Sequence, residues 1–325
     1  MHPAFSVIFL TTLIGVGQGL FLALVTGQTY AAVKIVPMQD PVTFFAWGSL
    51  VSLLFLAAGL LASFFHLGHP ERAWRAASQW RTSWLSREVI VLPLMMAAAF
   101  AYGLLHYFGI DPVIWTSPEG TSLTLTLAVG LAGSVVAFAL FVCTGMIYAA
   151  IRFLQEWATP LTVVNYILLG SASGFTLAAA FAAWTAPELV RFFGGWAVII
   201  TVLAAGSRTA SLVRNARLRP KSTLQTAIGV RHTRIVQKAQ GAMGGSFNTR
   251  EFFHGAPAAV FQGVKWSFLV LVFPVPLALL WAGMDGADRG LLAAAFAIQY
   301  LGLLLERWFF FAQANHPQNL YYQAA

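Results

Sequence analysis

The densest run of chemically capable side chains lies at 66–88 and reads HLGHPERAWRAASQWRTSWLSRE. It opens with His66 and closes with Glu88, with Arg72, Arg75, Arg81 and Arg87 between them. An imidazole changes charge near physiological pH, so it can accept a proton and pass it on. A nearby carboxylate can relay that proton to water, and an arginine can hold the carboxylate's charge. The redox chemistry of a quinol makes this demand, because each hydroxyl needs an acceptor as its proton leaves with an electron. Run in reverse, the same groups protonate a reduced quinone. On this reading His66 is the acceptor, Glu88 the relay, and Arg72 or Arg87 the counter-charge. A competing reading makes the arginines topology anchors and leaves Glu88 in an ion pair with one of them.

Other chemistry finds less to work with. Cys143 is the single cysteine, and one thiol neither closes an internal disulfide nor ligates an iron–sulfur cluster. No Cys/His spacing of the zinc type occurs. His106 falls at the opposite membrane end from His66, so no facing pair exists to hold a b-haem, while His232 and His254 belong to a loop. Gln18, Asn165 and Gln299 lie within apolar runs, where interhelical hydrogen bonding is their expected role. Gly241, Gly244 and Gly245 lack the Lys-Ser/Thr and the preceding strand of a phosphate loop.

The elements that hold these residues are dictated by composition. Of 325 residues 58% are hydrophobic and 9% charged, too few charges to cover a soluble surface. The chain therefore reads as an all-α polytopic membrane protein, one integral domain over 1–325 with about eight transmembrane helices in a bundle. Expected spans are 5–31, 42–65, 88–108, 123–151, 161–186, 191–213, 257–283 and 290–311, punctuated by prolines and by the Asp285–Asp288 turn. Pro274 and Pro276 predict a kink in the seventh span. The apolar run behind Ser6 is too long for a cleaved signal and is expected to be retained. Gly15–Gly19 and the cluster at Gly130–Ser134 suit close helix packing.

Eight spans put both termini on one side, here side A, and sixteen of the 19 basic residues fall there. That bias makes side A cytoplasmic, with both termini inside, and the expected membrane is a bacterial inner membrane. The net charge of +8 is thus topology and docking information, and no nucleic-acid fold fits. The long side-A loop at 214–256 opens with Arg214, Arg217, Arg219 and Lys221. Ser222 to Gln240 is expected to form an amphipathic helix capped by Ser222 and stopped by Gly241, lying on membrane lipid or facing an acidic partner.

The eight-span layout, His66-Leu67-Gly68-His69-Pro70-Glu71-Arg72-Ala73 and Ser83-Trp84-Leu85-Ser86-Arg87-Glu88 together resemble the membrane-anchor subunit of the dimethyl sulfoxide reductase family. The resemblance implies a chain without haem or cluster that exchanges electrons between a membrane quinone, ubiquinone or menaquinone, and an iron–sulfur ferredoxin-like subunit. That subunit in turn serves a molybdopterin catalytic subunit. It also implies a quinone site at His66 and Glu88, with Arg72, Ser86 and Arg87 beside them, and partner docking on Arg75, Arg81, Arg214, Arg217 and Arg219. The segments 225–232, 246–254 and 316–322 look like the anchor branch of cytoplasmic sulfite dehydrogenases, which implies electrons passing from sulfite to quinone. The alternative direction is a quinol-oxidising anchor of a dimethyl sulfoxide-type reductase. A transporter is more remote, because it wants polar groups converging at the midplane or broken helices in paired positions, and no internal repeat is visible.

Overall fold

The computed structural model describes residues 4–118, 120–219, 223–236, 238 and 257–316. Eight helical segments are long and apolar enough to cross a membrane. They are α1 (Phe5–Ala32), a π-helical turn Pro41–Ala46 running into α2 (Trp47–Phe64), α3 (Trp84–Tyr107), α4 (Leu125–Ala149) and α5 (Pro160–Thr185). There follow a short 3-10 turn leading into α6 (Val190–Ala216), the pair α8 (Ala258–Val272) and α9 (Pro274–Met284), and α10 (Arg289–Ala312). The chain is a multi-pass, all-α membrane protein; the described strands form one hairpin, Val113–Thr116 with Ser122–Thr124, on side B.

Helix ends follow local chemistry. Asp40 caps the turn at Pro41, accepting from the amides of Val42 and Thr43 at 3.1 and 2.6 Å. Those bonds hold its carboxyl below the usual range. Ser83 caps α3 by accepting from the Ser86 amide at 3.3 Å. The third span therefore starts at Trp84, ahead of the expected 88, and Ser86 and Glu88 lie inside the first turns of the helix. The seventh span is broken rather than kinked: α8 ends at Val272 and α9 restarts with Pro274 at its first turn, where the missing amide costs nothing.

Helices α1 and α5 form the centre. Of the most apolar stretch of each, 78% and 72% is buried inside the protein, against 28 to 44% in the other six spans. Glycines let these two backbones touch: a Cβ on Gly174 would come within 2.1 Å of the Gly19 carbonyl carbon, and Gly15 faces Gly170. Buried hydroxyls inside the bundle bond their own helix, as Thr12 does to the Ile8 carbonyl at 2.8 Å.

The side-A loop departs from expectation. The helix expected over 222–240 is a single turn, α7 (Leu224–Ile228), capped by Thr223 and stopped at Gly229, whose φ of 72° suits glycine. His232 follows it in an extended stretch, and its Nδ1 contacts the Arg234 backbone. The expected cap Ser222, the stop Gly241, the other loop glycines, His254 and the segment 246–254 lie outside the described residues.

Candidate functional site

At side A, α2 delivers His66, a 3-10 helix (Pro70–Gln79) follows, and α3 carries the chain back into the membrane. His66 stands exposed just beyond α2, and partial desolvation holds its imidazole pKa below the ordinary value. Arg72, Arg75 and Arg81 are exposed; Arg72 lies 3.6 Å from Glu71, and Arg75 and Arg81 stack over their neighbours Trp74 and Trp80. With Trp84 these indoles form an interfacial belt, the usual place for rings with an apolar face and a polar edge.

Arg87 does not meet its expected role. Its guanidinium donates to the Trp80 and Arg81 carbonyls, each at 2.9 Å, and stacks on Trp84 at 4.1 Å, so it pins the loop to α3. Neither Arg87 nor Arg72 pairs with Glu88 among the described residues. Nor does a hydrogen bond join Glu88 to His66 there. The reason is direction: Arg87 points out to the loop, while Glu88 points inward to α4 and is 6% exposed. Its partner is Thr144, whose hydroxyl donates to Glu88 Oε1 at 2.5 Å; the other carboxylate oxygen has no hydrogen-bond partner among the described residues. Ser86 is buried beside it.

A second set of ionisable groups sits at the same end of the bundle. Arg208 of α6 contacts Glu306 of α10 at 2.7 Å, and Arg307 contacts the other Glu306 oxygen at 3.0 Å. All three are buried. The contacts are close charge pairs rather than aligned hydrogen bonds, since among the described residues neither Arg208 Nε nor Glu306 Oε2 has an aligned partner. Arg307 also lies 3.9 Å over the Tyr166 ring, and Arg208 lies over Phe268 and Phe309. Two cations and one anion leave this triad with a formal excess of one positive charge.

Thr144, the partner of Glu88, and Arg307 of the triad line one small space. A cavity of about 20 Å³, room for a single water, is lined by Thr144, Tyr166, Gln18 and Arg307 among others. Thr144, Tyr166, Arg208, Glu306 and Arg307 had no place in the sequence reading. Arg208 and Arg307 counted there only as basic residues of side A. Their depth was the missed signal, since each falls a turn or more inside the end of an apolar span.

Expected hydrogen bonds between spans occur at Asn165, which donates to Ser211 at 2.8 Å, and at Gln299, which reaches Thr201 and the Val272 carbonyl at 3.3 Å. Gln18 instead bonds its own helix at Ile14. Of the docking candidates, Arg217 and Arg219 are exposed beyond α6. Arg214 is half-buried and donates to the Gln155 carbonyl and to Asn215, which ties α6 to the 150–159 loop. Burial raises the carboxyl pKa of Glu156 in that loop. Among the described residues no group of three or more His, Cys, Asp or Glu is placed to hold a metal ion.

The family model described as DMSO reductase anchor subunit (DmsC) matches residues 1–311. The chain is also similar to a protein of Allochromatium vinosum named as a subunit of sulfite dehydrogenase. The two are 60% identical over 329 residues, covering 100% of this chain and 99% of that protein.

Proposed function

Because this chain belongs to the DMSO reductase anchor subunit (DmsC) family, the membrane anchors of oxidoreductase complexes, we propose that it couples sulfite oxidation to reduction of the membrane quinone pool. Its partners on this reading are a molybdopterin catalytic subunit, where sulfite is oxidised, and an iron–sulfur ferredoxin-like subunit seated on side A. The full-length identity to a sulfite dehydrogenase subunit supports the substrate. The bias of basic residues supports a cytoplasmic side A in a bacterial inner membrane. That bias survives the removal of the buried Arg208 and Arg307 from the surface count.

The observation that carries the quinone reading is Glu88: a buried carboxyl, bonded by one hydroxyl and, among the described residues, unpaired by any cation, at the membrane end where this reading seats the partner. A quinone fits this donor set, because its carbonyl oxygens want groups that donate a hydrogen bond and then yield a proton. When bound it supplies the acceptor for two electrons and two protons. His66, outside α2, exchanges protons with side-A water and holds one to donate. Glu88 passes a proton through its free oxygen while Thr144 keeps the other oxygen fixed. Assay of the purified complex with sulfite and a soluble quinone analogue tests the direction. Turnover is expected there, and turnover only with quinol plus dimethyl sulfoxide would reverse it.

A further inference from the structure

At the opposite membrane end from Glu88, a cavity of about 440 Å³ opens among α1, the Pro41 turn, α3 and the side-B hairpin. Its size lies within the range of small-molecule sites. Its wall is built with care. Tyr102 donates its hydroxyl to Gln28 at 2.8 Å, Gln28 donates to Thr126 at 2.6 Å, and the Thr126 amide donates to Asp111 at 2.8 Å. His106 stacks on Phe45 with ring centroids 4.6 Å apart at 22°, and meets the Tyr102 ring edge-on at 4.6 Å.

Two polar atoms on this cavity break the pattern. His106 is 5% exposed and its buried Nε2 has no hydrogen-bond partner among the described residues; Gln39 is 3% exposed and its Oε1 likewise has none there. The Gln39 amide nitrogen is already committed to the Pro37 carbonyl. Buried polar groups are mostly satisfied, and two unmet atoms on residues lining one cavity of this size fit a bound molecule that supplies their partners. The imidazole offers a donor at one nitrogen and an acceptor at the other. Much of the remaining lining is apolar, including Leu105, Leu127 and Met38. Lys34 and Asp111 also line it with opposite charges, which gives an anion such as a lipid phosphate no net attraction.

We propose that this cavity is a second site for a quinone-class ring, on side B, built from His106 and Gln39 and separate from the Glu88 site. A flat neutral ring carrying hydrogen-bonding oxygens matches the aromatic wall and the unmet polar atoms. The proposal rests on the quinone chemistry proposed above, applied to a different place. It concerns binding alone.

The test is photolabelling of the assembled complex in lipid nanodiscs with a short-tailed azidoquinone, followed by peptide mapping. Label is expected in the peptides carrying 28–45 or 102–127 as well as in 66–88, and excess unlabelled quinone removes both. His106→Leu should cut the side-B label at least tenfold and leave the side-A label unchanged. Should that variant fail to assemble, Gln39→Leu asks the same question with a several-fold loss. Label at side A alone, or side-B label indifferent to both substitutions or displaced only by anionic lipid, would overturn the proposal. Label at side B alone would uphold it and remove the Glu88 reading, and label at neither would remove both.

Discussion

Thr144 on α4 and Glu88 on α3 meet at 2.5 Å across the contact between their helices. This single hydroxyl orients a carboxyl that no arginine touches. It separates a structural glutamate, which would sit in an ion pair, from one left free to change protonation. Thr144→Val keeps the shape and deletes the donor. A hydrogen bond to a charged group contributes about 1.5–3 kcal/mol, so quinone-coupled turnover should fall roughly tenfold or more. Dye-linked activity of the catalytic subunits should stay unchanged, and an equal fall in both would mean that the complex had come apart.

The buried triad makes a stability prediction of opposite character. Removing one member leaves a buried charge without its partner, which costs about 3–5 kcal/mol. Glu306→Gln strands both Arg208 and Arg307, so the detergent-solubilised chain should melt well below the wild type. Adding Arg208→Met to Glu306→Gln removes one of the two stranded cations and should recover part of the loss. A melting curve unaltered by Glu306→Gln would show that the arginines are solvated.

How far these features were legible in the sequence depends on what each required. The spans were, because a bilayer imposes length and apolarity on consecutive residues; the largest shift came at Trp84, where the Ser83 cap sits ahead of the apolar run. The site was legible in residue type and not in direction. Arg87 and Glu88 are neighbours in sequence, yet one helical step aims the first at the loop carbonyls and the second at Thr144. The loop helix was overdrawn because a periodic apolar pattern ran past Gly229, and a backbone at positive φ ended it. The triad escaped because Arg208 and Glu306 are 98 residues apart in sequence and come together only through helix packing.

Docking should be electrostatic where side chains remain free. Arg217→Glu with Arg219→Glu should weaken recovery of the iron–sulfur subunit several-fold at low salt, and the difference from wild type should shrink at high salt, where the lost attraction and the new repulsion are both screened. Arg214→Ala should instead loosen the end of α6, because that guanidinium is spent on Gln155 and Asn215. Undiminished recovery with the double reversal would leave Arg217 and Arg219 as topology signals.

Orientation can be read with reporters. A fusion after Ala325 should report the cytoplasm, and one within the 113–124 hairpin should report the opposite side. A C-terminal reporter active only outside the cytoplasm would invert the membrane placement and with it the side on which sulfite is oxidised.

The central claim is that His66 and Glu88 serve a quinone at side A, and one paired rate measurement on the purified complex tests it most directly. Sulfite-driven reduction of a quinone analogue and of an artificial dye are followed together in the wild type, His66→Ala and Glu88→Gln. The account predicts loss of at least nine-tenths of the quinone rate in His66→Ala and a roughly tenfold fall in Glu88→Gln, with dye reduction intact in both. Quinone rates that survive both substitutions would contradict it, and would return His66 to the surface and Glu88 to helix packing.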